Sequence, residues 1–123
     1  MLKERGNTLK ITQKIKALVE KNPIALATVD GRGNPHVIAV ACVKVVGDKL
    51  IISDNCLHRT RANILANGKA SIAAWNPQWQ GVKLSGKAEY HATGKWKAFV
   101  KTLPENEGLP AKGAVVFTPR KIS

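Results

Sequence analysis

The sequence predicts a single, mainly β domain over residues 1–123, in the form of a small antiparallel barrel of six strands with flanking helices. The chain has 123 residues, enough for one hydrophobic core and too few for two domains of ordinary size. Six short apolar segments show alternating patterns and are separated by turn residues, which is typical of small antiparallel barrels. The tight turns between them favour this arrangement over a parallel sheet.

The first half of the chain is predicted to form one helix and three strands. Residues Asn7–Asn22 place apolar side chains on one face and lysines on the other, with Asn7 or Thr8 as the N-cap and Pro23 beyond the end. Turn residues then separate three apolar segments. The three strands, which should form an antiparallel meander, are Ile24–Asp30, Pro35–Val46 and Lys49–Asp54.

The second half of the chain is predicted to alternate between helices and strands. Asn67 and Gly68 should end the first of these helices. Residues Val82–His91 alternate cleanly between apolar and polar, as in a strand with one solvated face. The elements are a helix over His58–Ala66, strands over Lys69–Asn76 and Val82–His91, a helix from Thr93 or Gly94 to Pro104, and a strand over Ala114–Phe117, after which Pro119–Ser123 should trail out.

The segment Lys49–Asn67 predicts an anion site. A strand, a polar turn and a helix start follow one another, and free amides at a helix start favour negative charge. Arg59 could add a charged clamp and Thr60 a hydroxyl. The alternative is that the turn residues only end the strand and cap the helix, while Arg59 lies on the surface.

Small side chains at Ala39 and Ala41 mark one face of the second strand. They could make room for a large core neighbour, or they could let a planar ring lie close to the backbone. The sequence alone leaves both interpretations open.

The chain is strongly basic, with 20 Lys and Arg residues against 8 Asp and Glu and a net charge of +12. Such a balance indicates anionic partners, among which nucleic acid, a phosphorylated cofactor and an acidic substrate all fit. No block of five like charges is present, and only 5% of the residues are aromatic. Both observations make nucleic acid an unlikely partner.

Other classes of protein find no support in the sequence. No apolar run is long enough to cross a bilayer, and the N-terminus lacks the apolar region of a signal peptide, so a cytoplasmic protein is expected. Cys42 and Cys56 make no disulfide framework, and no Cys or His cluster has the spacing of a metal site. Cys42 is interpreted as a small core residue and Cys56 as a turn residue.

Four segments in this order resemble the flavin-binding split-barrel proteins related to pyridoxamine 5'-phosphate oxidase, especially their small FMN-binding members. The resemblance covers roughly Ile24–Tyr90. The four segments are Ala25–Val37 (ALATVDGRGNPHV), His58–Ile64 (HRTRANI), Asn67–Trp75 (NGKASIAAW) and Gly81–Tyr90 (GVKLSGKAEY). The resemblance implies a six-stranded antiparallel split β-barrel, a homodimer and two FMN sites in the dimer interface.

By position, the resemblance assigns flavin contacts to the second and third strands. Ala39, Val40 and Ala41 would lie along the flavin and contact it through backbone groups. Ser53 and Asp54 would lie at the strand end, near the ribityl-phosphate. Many family members also carry a second basic residue on the long strand, where it holds the phosphate. In this chain the first basic residue near the end of the predicted strand Pro35–Val46 is Lys44.

The same resemblance assigns the phosphate to the helix that begins at His58. Arg59 and Thr60 would hold the phosphate, His58 would be adjacent, and Asn63 would support the turn from one helical turn further on.

A third set of residues would reach the flavin from the partner subunit. Trp75, Gln80 and Gly81 match that region of the family. Gly81 stands where larger oxidases of the family have a polar flavin contact, and the tail after Phe117 lacks the basic and aromatic residues with which those oxidases hold pyridoxal phosphate.

The resemblance therefore implies an FMN-binding oxidoreductase or electron carrier, without assigning a catalytic residue. His36 and His91 are isolated histidines on strands, which are more often structural. Two alternatives stay open: a split barrel that binds a deazaflavin or haem, and a basic barrel that binds nucleic acid without catalysis. A bound flavin without turnover is a further possibility.

Overall fold

The computed structural model of the protein describes residues 9–123. The described chain folds into three α-helices, a short 3-10 helix and seven strands. In chain order they are α1 (Gln13–Lys21), β1 (Ile24–Val29), β2 (Pro35–Val40), β3 (Val43–Val46), β4 (Lys49–Ser53), α2 (His58–Asn67), β5 (Lys69–Trp75), β6 (Gly81–His91), α3 (Lys95–Lys101), the 3-10 helix (Pro104–Asn106) and β7 (Ala114–Ile122).

All strands join one antiparallel sheet in the order β2-β1-β5-β6-β7-β4-β3. The two edge strands, β2 and β3, are consecutive in the chain and are separated only by Ala41 and Cys42. Because two residues cannot span a flat sheet of seven strands, the sheet must curl until its edges meet. The result is the antiparallel split barrel that the sequence predicted.

The predicted strand Pro35–Val46 is therefore wrong as one strand, and the barrel has seven strands instead of six. Its first half pairs with β1 up to the pair Ile24 and Val40, and its second half pairs with β4 from Val43 onward. The apolar pattern runs through the break without interruption, so the sequence gives no signal of it. Only the pairing partners show where one strand ends.

Two predicted element bounds also differ from the structure. Helix α1 begins at Gln13 after the N-cap Thr12, whose Oγ1 accepts a hydrogen bond from Ile15 N at 3.2 Å. The predicted caps Asn7 and Thr8 lie outside the described residues. At the other end of the chain, the residues after Phe117 do not trail out, because β7 pairs with β6 as far as Ile122.

The core lies inside the curled sheet and is closed by α1. Leu18 and Val19 of α1 are buried against strand residues such as Leu26, Leu50 and Phe117. A smaller cluster forms outside the barrel, where α3 covers Ile51 and its neighbours. Within residues 9–123, no helix is long and apolar enough to cross a membrane.

Candidate functional site

A cavity of about 490 Å³ lies where β2 passes into β3. Its walls come from this crossing, from the end of β4, from the residues just before α2, from α1 and from the loop after α3. It is lined by Glu20, Ala39, Val40, Ala41, Cys42, Val43, Lys44, Ser53, Asn55, Cys56, Leu57, Glu105, Asn106 and Leu109. Four of the twelve candidate residues thus meet at one cavity: Ala39, Val40, Ala41 and Ser53.

The β2 wall of this cavity is made of small and exposed side chains. Ala39 and Ala41 are exposed, whereas Val40 between them points into the core and is buried. Their positions agree with the second interpretation of the sequence, in which a planar ligand could approach the backbone closely. No large core neighbour is packed on these two alanines, because they face outward.

The β4 wall is held by two buried or half-buried amides. Asn106 Nδ2 donates to Ser53 Oγ at 2.5 Å and to Val100 O at 2.9 Å. Asn55 Nδ2 donates to Asn106 Oδ1 at 3.0 Å, and Asn55 Oδ1 accepts from Ala111 N at 2.8 Å. These bonds fix the loop after α3 against the end of β4, so the loop forms a stable side of the cavity.

Charged groups line the far side of the cavity. Lys44 forms an ion pair with Glu105, and Glu20 Oε2 accepts a hydrogen bond from Val45 N at 2.7 Å. The hydrogen bond to Glu105 raises the pKa of Lys44, and the same bond lowers the pKa of Glu105. Both partners therefore stay ionised near neutral pH. Lys44, the first basic residue of the predicted strand Pro35–Val46, is thus paired with the Glu105 carboxylate.

The two thiols also belong to this cavity. Cys42 is half-buried, and burial, followed by the negative charge of Glu105, raises the pKa of its thiol. A raised pKa keeps the sulfur protonated and weakly nucleophilic. Cys56 is exposed in the turn before α2, as the sequence predicted. Cys42 lines the cavity instead of lying fully in the core.

The N-terminus of α2 begins directly beyond the cavity residue Leu57. Leu57 is the N-cap and provides no side-chain hydrogen bond, and the first turn carries no acidic residue. The first intrahelical bond is from Arg61 N to Leu57 O at 2.7 Å, so the amides of the first turn have no partner within the helix. This end of the helix can therefore accept an anion.

Two side chains of this first turn match an anion site. Arg59 is exposed, as is His58. Thr60 is only 1% exposed, and its Oγ1 has no hydrogen-bond partner among the described residues. A buried hydroxyl without a partner costs free energy, so a ligand oxygen at this position would remove that cost.

Asp54 and Asn63 have structural roles. Asp54 is 2% exposed and accepts hydrogen bonds from Leu57 N at 2.8 Å and from the Tyr90 hydroxyl at 2.5 Å. Asn63 Nδ2 donates to Thr28 Oγ1 at 3.0 Å inside the core. Asn63 thereby fixes α2 on the barrel, which agrees with a supporting role.

Trp75 ends β5, Gln80 lies in the β5–β6 loop and Gly81 begins β6. None of the three lines the cavity. Asn76 Oδ1 organises this loop by accepting bonds from Gln78 N and Gln80 N, both at 3.0 Å. A Cβ at Gly81 would lie 2.8 Å from Ala74 O, so glycine is required there by backbone packing.

The same loop presents two parallel indole rings to solvent. Trp75 and Trp79 have ring planes 2° apart and centroids 6.5 Å apart. Trp79 is 82% exposed and has a positive φ of 63°, a strained conformation for a bulky residue. The loop therefore leaves most of the Trp79 side chain exposed to solvent, with its ring parallel to that of Trp75.

The outer face of β1, β2 and β5 has small side chains. Its residues are paired across the strands in two rows, Ala39, Ala25 and Ala73 in one and Val37, Ala27 and Ser71 in the next. Val37 is 64% exposed. A shallow depression of about 380 Å³ extends over this face. Exposed apolar surface of this kind commonly marks an interaction site.

Several cavity residues were missed by sequence reasoning. Glu20, Glu105, Asn106 and Leu109 come from a helix and a loop that the sequence interpretation treated as structural only. Their distance along the chain from β2 and β4 gives no local signal.

In the described part of the chain, no three His, Cys, Asp or Glu side chains lie close enough together to hold a metal ion.

The sequence matches a known family over almost its whole length. The family described as pyridoxamine 5'-phosphate oxidase matches residues 11–123. An uncharacterized protein from Methanocaldococcus jannaschii is 28% identical over 116 residues, which cover 90% of this chain and 78% of that protein.

Solved structures share the fold. HupZ from Group A Streptococcus is 28% identical with a TM-score of 0.82, covering 91% of each chain. A Lactobacillus delbrueckii protein named for pyridoxamine 5'-phosphate oxidase is 24% identical with a TM-score of 0.81, covering 96% of this chain and 97% of that one. An FMN-binding protein from Syntrophomonas wolfei is 19% identical with a TM-score of 0.75, covering 92% and 84%.

Proposed function

Since this chain belongs to the pyridoxamine 5'-phosphate oxidase family, we propose that it is a homodimeric FMN-binding protein that acts in redox chemistry. The observation that carries the proposal is the start of α2. There the buried Thr60 hydroxyl and the amides of the first turn have no hydrogen-bond partner within residues 9–123, beside the cavity at the β2–β3 crossing. An anion with several acceptor oxygens fits this donor set.

The phosphate of FMN would lie at the N-terminus of α2. Arg59 is exposed and free to turn toward it, and the Thr60 hydroxyl and the first-turn amides supply further donors. The excess positive charge of the chain raises the local concentration of such an anion. His58 lies in the same turn and can assist, whereas Asp54 contributes by holding the turn in place.

The ring system of FMN would lie against β2. Ala39 and Ala41 are exposed and small, so a planar ring can approach the backbone there. Ser53 lies in the same cavity, between this wall and the start of α2. When bound, FMN would supply hydride or electron transfer, and the chain would supply position and electrostatics.

A second copy of the chain would complete the site. The outer face of the sheet, with Ala25, Ala27 and the exposed Val37, is apolar enough to pack against itself in a symmetric dimer. The end of β5 and the loop after it carry the exposed rings of Trp75 and Trp79. In such a dimer Trp75, Gln80 and Gly81 would contact the flavin of the partner.

FMN is the first ligand to test, because the Syntrophomonas wolfei protein with this fold is FMN-binding, whereas another protein with this fold is an F420 reductase. The test is an absorption spectrum of the purified protein, recorded before and after incubation with FMN and desalting. Retained bands at roughly 375 and 450 nm are expected for bound oxidised flavin. A protein that retains no flavin after this treatment would contradict the proposal, and a deazaflavin would then be the next ligand to test.

A further inference from the structure

We propose that Asn106 is a positioning residue for the ligand site, because it turns the Ser53 hydroxyl proton into the cavity as a hydrogen-bond donor. The inference rests on the proposed function in that it takes FMN as the ligand whose oxygen or nitrogen accepts this bond.

The orientation of the Asn55 amide is fixed by a backbone donor. Ala111 N can only donate, so the Asn55 atom that lies 2.8 Å from it must be the carbonyl Oδ1. The nitrogen of Asn55 then faces Asn106, to which it donates at 3.0 Å. The atom of Asn106 that receives this bond must therefore be Oδ1.

The orientation of the Asn106 amide is fixed a second time by a backbone acceptor. Val100 O can only accept, so the Asn106 atom 2.9 Å away must be Nδ2. The same nitrogen lies 2.5 Å from Ser53 Oγ. With two hydrogens and two acceptors, Nδ2 is saturated. Flipping the amide would place two oxygens against each other at Val100, so this arrangement is the stable one.

The consequence concerns the proton of Ser53. Because Asn106 donates to Ser53 Oγ, the oxygen acts as an acceptor in that direction, and its own hydrogen must point elsewhere. Ser53 is 5% exposed, and its side chain donates to no other group among the described residues. Ser53 lines the cavity, so the cavity is where its proton can find an acceptor.

This arrangement adds a donor that a lone serine would not provide reliably. A free hydroxyl rotates and can either donate or accept. With one lone pair of its oxygen occupied by Asn106 Nδ2, the Ser53 hydroxyl has its proton directed away from Asn106, which favours a ligand group with a lone pair. Asn106 is 3% exposed and reaches the ligand only through Ser53, so it is not itself a contact residue.

A double-mutant cycle on FMN affinity tests the inference. The proteins are wild type, Ser53→Ala, Asn106→Leu and the double variant, each checked for folding by circular dichroism. We expect Ser53→Ala to raise the Kd for FMN about 3- to 10-fold, as for one lost hydrogen bond. Asn106→Leu should also raise it, but it should have little further effect once Ser53 is alanine.

Thr102→Val is the matched control, because Thr102 Oγ1 donates to Phe99 O at the end of α3, before the same loop, and makes no hydrogen bond to Asn55, Asn106 or Ser53. Its effect on the Kd should be the same in the wild-type and Ser53→Ala backgrounds. An Asn106→Leu effect that is equally independent of Ser53 would overturn the inference, as would unchanged affinity in Ser53→Ala. If Asn106→Leu does not fold, Asn106→Ala takes its place in the cycle and is judged by the same outcomes.

The outcome also separates this inference from the proposed function. A wild-type protein that does not bind FMN would overturn both. Wild-type binding with additive variants would overturn the role of Asn106 and leave the proposed function standing.

Discussion

The Tyr90 hydroxyl on β6 donates a hydrogen bond to Asp54 Oδ2 across 2.5 Å. The other carboxylate oxygen, Asp54 Oδ1, accepts a hydrogen bond from the backbone N–H of Leu57, which is the N-cap residue of α2. The Arg61 guanidinium lies over the Tyr90 ring, 5.8 Å from its centroid. One tyrosine thus joins a barrel strand to the turn that sets the position of the candidate phosphate site.

Replacing Tyr90 by phenylalanine should destabilise the protein while preserving the ring packing. The variant removes one hydrogen bond to a buried carboxylate, and bonds to charged groups contribute about 1.5–3 kcal/mol. We expect a loss in the free energy of unfolding of about 1–2 kcal/mol, because Tyr90 is only partly buried. Urea unfolding measures it, and an unchanged midpoint would show that the bond contributes nothing.

Stability should also fall at alkaline pH through the same residue. Burial, and next the hydrogen bond to Asp54, raises the pKa of Tyr90 above its ordinary value of 10.0, although Arg61 acts in the opposite direction. A group with a raised folded pKa stabilises the protein below its unfolded pKa, and this contribution is lost as pH rises through the folded pKa. Unfolding experiments above about pH 10 should show a decline that is weaker in Tyr90→Phe. Identical pH profiles would contradict this assignment.

Arg59→Ala should weaken FMN binding without unfolding the protein. Arg59 is exposed at the start of α2, and a charge-assisted bond to phosphate contributes about 1.5–3 kcal/mol, which is a loss of roughly 10- to 150-fold in affinity. Quenching of FMN fluorescence on titration measures the Kd. Arg120→Ala, which removes the same charge from an exposed site on β7, is the control. Equal effects of the two changes on the Kd would show that only the net charge of the chain matters for binding, and not a contact from Arg59.

Thr60→Val separates the ligand site from the structural role of the helix. Valine is nearly isosteric and removes a buried hydroxyl that has no partner among the described residues. The ligand-free protein should therefore be as stable as wild type or more stable, by up to about 1–3 kcal/mol. FMN affinity should fall, because the ligand loses a donor. Lower stability with unchanged affinity would show that Thr60 serves the fold alone.

Local patterns in the sequence predicted much of the fold. Helix α2 begins at His58 as predicted, and its C-cap is Gly68, whose φ of 73° only glycine adopts easily. The alternation predicted for Val82–His91 is observed in β6, with Leu84 and Ala88 buried. These features depend on residues that are close together in the chain.

Pairings between distant residues were not predictable from those patterns. The break at Ala41 and Cys42 depends on which strands complete the sheet, not on the apolar pattern around it. The bond between Asn106 and Ser53 joins residues 53 positions apart. Family resemblance placed Ser53 near the ligand, but nothing in the sequence indicated what would orient it.

The proposed dimer can be tested on the outer face of the sheet. Ala27 lies between Val37 and Ser71 on this surface, so Ala27→Arg would place a long charged side chain at the proposed interface. A monomer tolerates this change, because the arginine can extend into water, but a dimer would have to bury an unpaired charge. We expect a shift from dimer to monomer in sedimentation experiments and, because the partner completes the site, weaker FMN binding. Leu65→Arg on the exposed face of α2 is the control and should leave the dimer intact. If Ala27→Arg remained a dimer, the subunits would have to associate through another surface, and the contacts proposed for Trp75 would need to be reassigned.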